Sequence, residues 1–182
     1  MRHVWQKACA FLGAAVVATL FATSFVGCQL YQEALRNDER TELYMSATRK
    51  AEILNQLRTE AVILATNLNV VSPDKFPPND GAVFLIDIFI AQDSSDPDKR
   101  GLFNPVYSLW LDGAPPRDIT RLKRDELIAQ NIPYVSPWGE YFLVSFERPY
   151  APVMQLEVAR EGLERAILRF APSKTEQLLK RF

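Results

Sequence analysis

The sequence predicts an α+β chain, a long N-terminal helix followed by a small antiparallel β-sandwich. Three observations lead there. Residues 30–69 contain no glycine or proline and are rich in Ala, Leu, Glu, Arg and Gln, the residue types that favour helix. Past residue 81 the apolar period changes from 3.6 to 2, and the apolar runs are punctuated by Pro, Gly, Asn and Asp. The composition is that of a globular protein, 48% hydrophobic and 24% charged, and 7 glycines against 12 prolines give no support to a collagen-like or low-complexity chain.

The helix is expected from Leu30 to about Asn69. Its apolar stripe is Tyr44, Ala47, Ala51, Leu54, Ala61, Ala65 and Leu68, widened by Leu57 and Leu64 and interrupted by Arg58. The "RNDER" run at 36–40 marks a break, because Asn37 or Asp38 can cap a new start. The stripe packs either on the following domain or against a partner helix. "VVSPDKFPPNDG" then ends the helix, and residues 71–81 read as a linker or tight loop.

The sandwich is expected over residues 82–172. "AVFLIDIFIA" (82–91) is almost wholly apolar and suits a central strand covered on both faces. "VYSLWLDG" (106–113) and "EYFLVSFER" (140–148) alternate, and a further strand is expected near Ile119 to Leu122. Residues 121–130 read as a helical turn in a crossing loop. The stretch 153–170 admits one amphipathic helix, but a hairpin turning at Glu161-Gly162 is preferred. Met154, Leu156 and Val158 alternate on the way in and Ala166, Leu168 and Phe170 on the way out. Gly162 would cost a helix about 1 kcal/mol relative to Ala and costs a turn nothing. Five or six short strands give a sandwich of immunoglobulin-like size. Residues 173–182 form a C-terminal tail, where Ser173 and Glu176 make a capping box for a short helix.

Residues 1–27 have a different character. A short basic start, "MRHVWQK", precedes eighteen uncharged residues, "ACAFLGAAVVATLFATSF", and the small residues of "VGC" follow. This is the pattern of a signal peptide; an uncleaved transmembrane anchor is the alternative. "FVGC" at Phe25-Val26-Gly27-Cys28 resembles the lipobox of bacterial lipoproteins, with Phe25 where Leu is usual. The resemblance implies cleavage before Cys28 and acylation of its sulphur. It further implies a lipid-anchored place in the cell envelope, facing the periplasm or the surface. Gln29, which is not Asp, favours the outer membrane. Several acyl chains on one cysteine hold a protein stably, since each buried CH₂ contributes about 0.8 kcal/mol.

Loss of residues 1–27 takes Arg2 and Lys7 from the 21 basic residues and none from the 22 acidic ones, moving the net charge from −1 to −3. It also removes the single histidine, His3, and leaves Cys28 as the only cysteine. Ser-His-Asp and Cys-His catalysis, zinc held by His and Cys, an intrachain disulfide and c-type haem attachment are thereby excluded for the mature chain. Without a basic stripe, nucleic-acid binding is not expected. No cofactor is expected.

Three groups of residues remain as candidate sites. Asp93, Asp96 and Asp98 share one loop and could offer oxygen ligands to Ca²⁺, although the spacing is not that of an EF-hand and a solvated turn accounts for it. Trp138 and Tyr141, with Tyr134 nearby, read as core aromatics or as a platform for sugars; Trp110 and Tyr107 carry the same two readings. Glu140, Asp112 and Asp87 are the acids in or beside strands, and a glycosidase would need two of them facing each other across about 5–10 Å. The leading expectation is a non-enzymatic interaction or assembly module with a protein partner in the envelope. A peptidoglycan-binding module and a carboxylate-dependent hydrolase are the alternatives.

Overall fold

A computed structural model describes residues 39–133, 135–147, 151 and 153–171. The expected signal peptide, Cys28 and the C-terminal tail lie outside the described residues, as does Tyr134. Among the described residues no helix is long and apolar enough to cross a membrane.

The chain is mostly β, in two antiparallel sheets. The described residues open in a helix, α1, which covers residues 39–47 of them and leads into strands β1 (Thr48–Asn55) and β2 (Arg58–Asn67). A one-turn helix, α2 (Leu68–Val71), follows. Next come β3 (Ala82–Ile90), β4 (Tyr107–Leu111), β5 (Asp118–Leu122), α3 (Arg124–Ala129), β6 (Glu140–Phe146), β7 (Met154–Arg160) and β8 (Ala166–Phe170). One sheet has the order β1-β2-β3-β6-β5 and the other β4-β7-β8. Side chains from both meet in a single apolar core, with Ala61, Ile63, Ala65, Phe84, Ile86, Phe142, Val144 and Phe146 from the first and Leu109, Leu111, Met154, Leu156, Val158 and Leu168 from the second. On one side the sheets are joined at their edge strands. Arg49 of β1 donates to the Arg169 carbonyl of β8 at 3.1 Å, and its guanidinium lies 5.8 Å from the Phe170 ring centre.

The helix expected to continue to Asn69 does not do so. Helix ends at residue 47, and residues 48–67 are a β-hairpin paired from Thr48↔Thr66 to Asn55↔Arg58. The first sheet therefore begins at Thr48, 34 residues before the sandwich expected from 82. Two physical facts account for the misreading. Val62, Ile63, Thr59 and Thr66 are β-branched and pack well on a pleated surface. The turn, Gln56-Leu57, carries none of the Asn, Asp or Gly that normally announces one, yet both residues take positive φ, 48° and 71°. Three of the alanines assigned to a helix stripe, Ala51, Ala61 and Ala65, sit on the core side of the sheet, where Ala61 and Ala65 are fully buried.

Residues 72–81 are folded onto the sheet rather than extended as a linker. Buried Asn69 holds them, its amide donating to the carbonyls of Gly81 at 2.9 Å, Phe76 at 3.1 Å and Pro77 at 3.4 Å, and its Oδ1 accepting from Val83 N–H at 2.8 Å. The strands expected from 82 onward are present as β3, β4, β5 and β6. The β7–β8 hairpin turns at Gly162, whose φ is 77°. The helical turn expected within 121–130 is α3.

Candidate functional site

The core-facing side of the five-stranded sheet is closed by the second sheet. Its opposite face is only partly covered. Leu68, Leu85, Leu127 and Tyr141 form a second, smaller apolar cluster there with Phe76, Leu122, Ile132 and Val135. Beside that cluster lies a cavity of about 280 Å³. Its floor is the outer face of β1, β2, β3 and β6, reached through Lys50, Leu64, Thr66, Leu85, Asp87 and Tyr141. Its walls are Tyr44 and Met45 of α1 on one side and Ile132, Pro133 and Val135 on the other.

Strand register sets the positions of the polar groups. Lys50↔Leu64, Leu64↔Asp87 and Asp87↔Tyr141 are successive cross-strand pairs, so one row runs across the sheet from an ammonium to a phenol with a carboxylate between. Adjacent strands are about 4.8 Å apart, which puts Lys50 and Asp87 roughly 10 Å from each other along that row. The row beside it carries Thr48 and Thr66, whose hydroxyls are 2.8 Å apart. Thr48 spends its proton on the Tyr44 carbonyl at 2.7 Å and so caps the end of α1, which makes Thr66 the donor between the two.

Asp87 occupies the apolar part of this floor. Desolvation raises its carboxyl to about 6, and a hydrogen bond from Tyr141 works in the opposite direction. In the structure the Tyr141 hydroxyl donates to the Ser136 carbonyl at 3.0 Å and accepts from the Ser136 N–H. Burial, reinforced by the Asp87 charge, pushes the phenol up to about 12. Gly139 presses against the carboxylate from the neighbouring loop, and a Cβ there would overlap Asp87 Oδ1. Among the described residues no cation is paired with Asp87; Lys50 is engaged with Glu52 at 2.8 Å.

The residues singled out from sequence are scattered. Asp93 is consumed within its loop, accepting from Gly101 N–H and Ser94 N–H at 2.7 Å each and from Asn104 at 3.1 Å. Asp96 caps the following turn through Asp98 N–H at 3.1 Å and pairs with Lys99 at 3.4 Å. Among the described residues no three acids, histidines or cysteines converge as a metal site. Glu140 faces the core side and pairs with Arg100 and Arg121, each at 3.7 Å, whereas Asp87 faces the opposite side of the same sheet. Asp112 lies in the other sheet's turn and accepts from Gln155 N–H at 2.9 Å. These three acids therefore stand in three separate surroundings.

The aromatics also part company. Trp138 is 76% exposed, so of its two readings the core one does not hold. Tyr141 is buried, but against the outer face of the sheet. Trp110 is half-buried beneath the Arg165 guanidinium, 5.9 Å from the ring centre. Tyr107 is buried in the core, and its hydroxyl is pushed up to about 12 by desolvation and by Glu60.

In the sequence Asp87 and Tyr141 are far apart, and nothing local joins them. Lys50, Leu64 and Thr66 are missed from the sequence, because a helix does not place them on one surface with Asp87. The usable signal was a lone Asp in the apolar run "AVFLIDIFI". No protein-family model, curated protein or solved structure matches the chain.

Proposed function

We propose that the chain is a lipid-anchored module of the bacterial envelope, tethered through Cys28, that binds a ligand in the outer-face cavity and carries out no chemistry of its own. One observation carries the binding reading: an apolar cavity whose floor presents a single desolvated carboxylate, Asp87, with a neighbouring glycine shaped to admit it. Apolar walls with a few placed polar groups are the general character of ligand sites. Hydrolysis by paired carboxylates finds no support in the positions of Asp87, Glu140 and Asp112. The tether rests on the Phe25-Val26-Gly27-Cys28 resemblance to the lipobox.

Two measurements test the two halves. Mass spectrometry of the protein from its membrane fraction is expected to find acylated Cys28 as the first residue, and Cys28→Ser is expected to abolish the membrane association. A chain intact from Met1 would refute the tether. For the cavity, methyl resonances of Leu64 and Leu85 are expected to shift on screening against small amphipathic compounds, and Val135→Trp is expected to suppress those shifts by filling the space. A second reading, binding of envelope glycan, is favoured by the exposure of Trp138. Sedimentation with purified peptidoglycan that is lost in Trp138→Ala would support it.

A further inference from the structure

We infer that the cavity beneath α1 selects a small organic cation, an alkyl group ending in an ammonium, with Asp87 receiving the charged end. The inference rests on the cavity being the ligand site and goes further by naming the ligand's chemistry. Three features of the geometry point to it. First, Asp87 stands on the cavity floor among Leu64, Leu85, Ile132 and Val135, and no side chain among the described residues supplies it with a counter-charge. A desolvated carboxylate without a partner is costly, and a cation entering the cavity would recover that cost. Second, the position is built around the carboxylate. Tyr141 is its cross-strand neighbour, and Gly139 leaves room for it where any side chain would collide. Third, the remaining polar groups of the floor are already satisfied. Thr48 and Thr66 bond each other and the end of α1, and Lys50 is held by Glu52. The rest of the surface is therefore left for a hydrocarbon body. At about 280 Å³ the space lies at the small end of ligand sites, which run from about 300 to 1,000 Å³. A chain of about six carbons is of fitting size.

The titratable and charged groups that surround Asp87 are Tyr141 on β6, Lys50 on β1, Tyr44 on α1 and, acting on Tyr141, Arg124 on α3. Tyr141 keeps its proton to about 12, so it does not titrate where Asp87 does.

The experiment titrates the full mature chain with hexylammonium, hexanol and hexanoate at pH 7, followed by calorimetry and by the methyl resonances of Leu64 and Leu85. Hexylammonium is expected to bind at least tenfold more tightly than the other two. Its affinity is expected to fall about tenfold from pH 7 to pH 5, as the fraction of ionised Asp87 falls. Asp87→Asn is expected to remove both the preference and the pH dependence while leaving hexanol binding in place. Should Asp87→Asn fail to fold, the pH dependence in the unmodified chain still decides. Equal or tighter binding of hexanol or hexanoate overturns the cation assignment and leaves the cavity as the ligand site. Binding of none of the three overturns the cavity reading, and this inference with it.

Discussion

The two faces of the five-stranded sheet are built from the same strands and do opposite things. On the inner face Ala61, Ile63, Ala65, Phe84, Ile86, Phe142, Val144 and Phe146 are each fully buried and purely apolar. On the outer face the same strands present Leu64, Thr66, Leu85, Asp87 and Tyr141, a mixture of apolar and polar groups around an open cavity. The alternation of side chains along a strand makes this division possible: a residue and its neighbour belong to different solvents. The inner face contributes stability, since each large side chain there removes hydrocarbon from water. The outer face gives up some stability by desolvating Asp87, and that loss is what favours it as the proposed ligand face.

The contrast is broken most sharply from the inner side. Phe84 meets Phe146 edge-on at 6.0 Å and Phe170 at 5.0 Å, so its loss empties the centre of the core. Phe84→Ala is expected to destabilise by about 3–5 kcal/mol, measured by urea unfolding. Leu64→Ala, on the cavity side of the neighbouring strand and half-buried, is expected to cost less than half of that. Equal costs would mean that the outer face is as tightly packed as the core.

Next in size is Asn69, which ties residues 72–81 to the sheet through four bonds made by one side chain. Asn69→Ala leaves several backbone groups without partners, and the expected loss is about 2–4 kcal/mol. Hydrogen exchange at Val83 N–H is expected to rise in the same variant, since its acceptor is removed. Unchanged protection there would show that the loop is held by its own packing.

Asp87 sharpens the comparison through pH. Its carboxyl sits near 6 in the folded chain against an ordinary 3.8, so the folded state binds the proton more tightly than the unfolded one. Its contribution is therefore fully favourable below about pH 4 and is lost as pH rises through about 6. At about 1.4 kcal/mol per unit, and allowing for partial solvent access, the loss amounts to about 2 kcal/mol. Asp87→Asn is expected to gain that much on the unmodified protein between pH 4 and pH 7. Taking the difference between the two proteins cancels the other carboxylates. A difference that stays flat with pH would mean that the group is solvated and the floor of the cavity is wet.

The inner face was far more legible in the sequence than the outer. Strand β3 follows from its continuous apolar run, and β4, β6 and the β7–β8 hairpin from period-2 alternation whose apolar members are the buried ones. Gly162 announced its turn because a positive φ favours glycine. The cavity could not be read, because it depends on β1 and β2 being strands. Once residues 48–67 are taken as helix, Lys50, Leu64 and Thr66 have no geometric relation to Asp87. Trp138 stays open between core and surface for a different reason: large aromatics are common in cores, and no local pattern reports that a loop carries one outward.

The smallest effect concerns the turn between β1 and β2. Gln56 and Leu57 both adopt left-handed backbone conformations, and Leu57 is 98% exposed, so neither gains packing in return. A two-residue turn of this hand favours Asn-Gly, and a left-handed conformation costs an ordinary side chain about 1–2 kcal/mol. Glycine gives part of that back through the greater freedom of the unfolded chain. The double change Gln56→Asn with Leu57→Gly is therefore expected to stabilise the protein by about 1 kcal/mol in urea unfolding. The gain is expected with no change in ligand binding, because the turn lies at the far end of β1 from Thr48 and the wall formed by α1. A loss of stability would mean that Leu57 makes a contact worth more than the strain of its backbone. In that case the hairpin tip, and not only the cavity, would belong to the working surface.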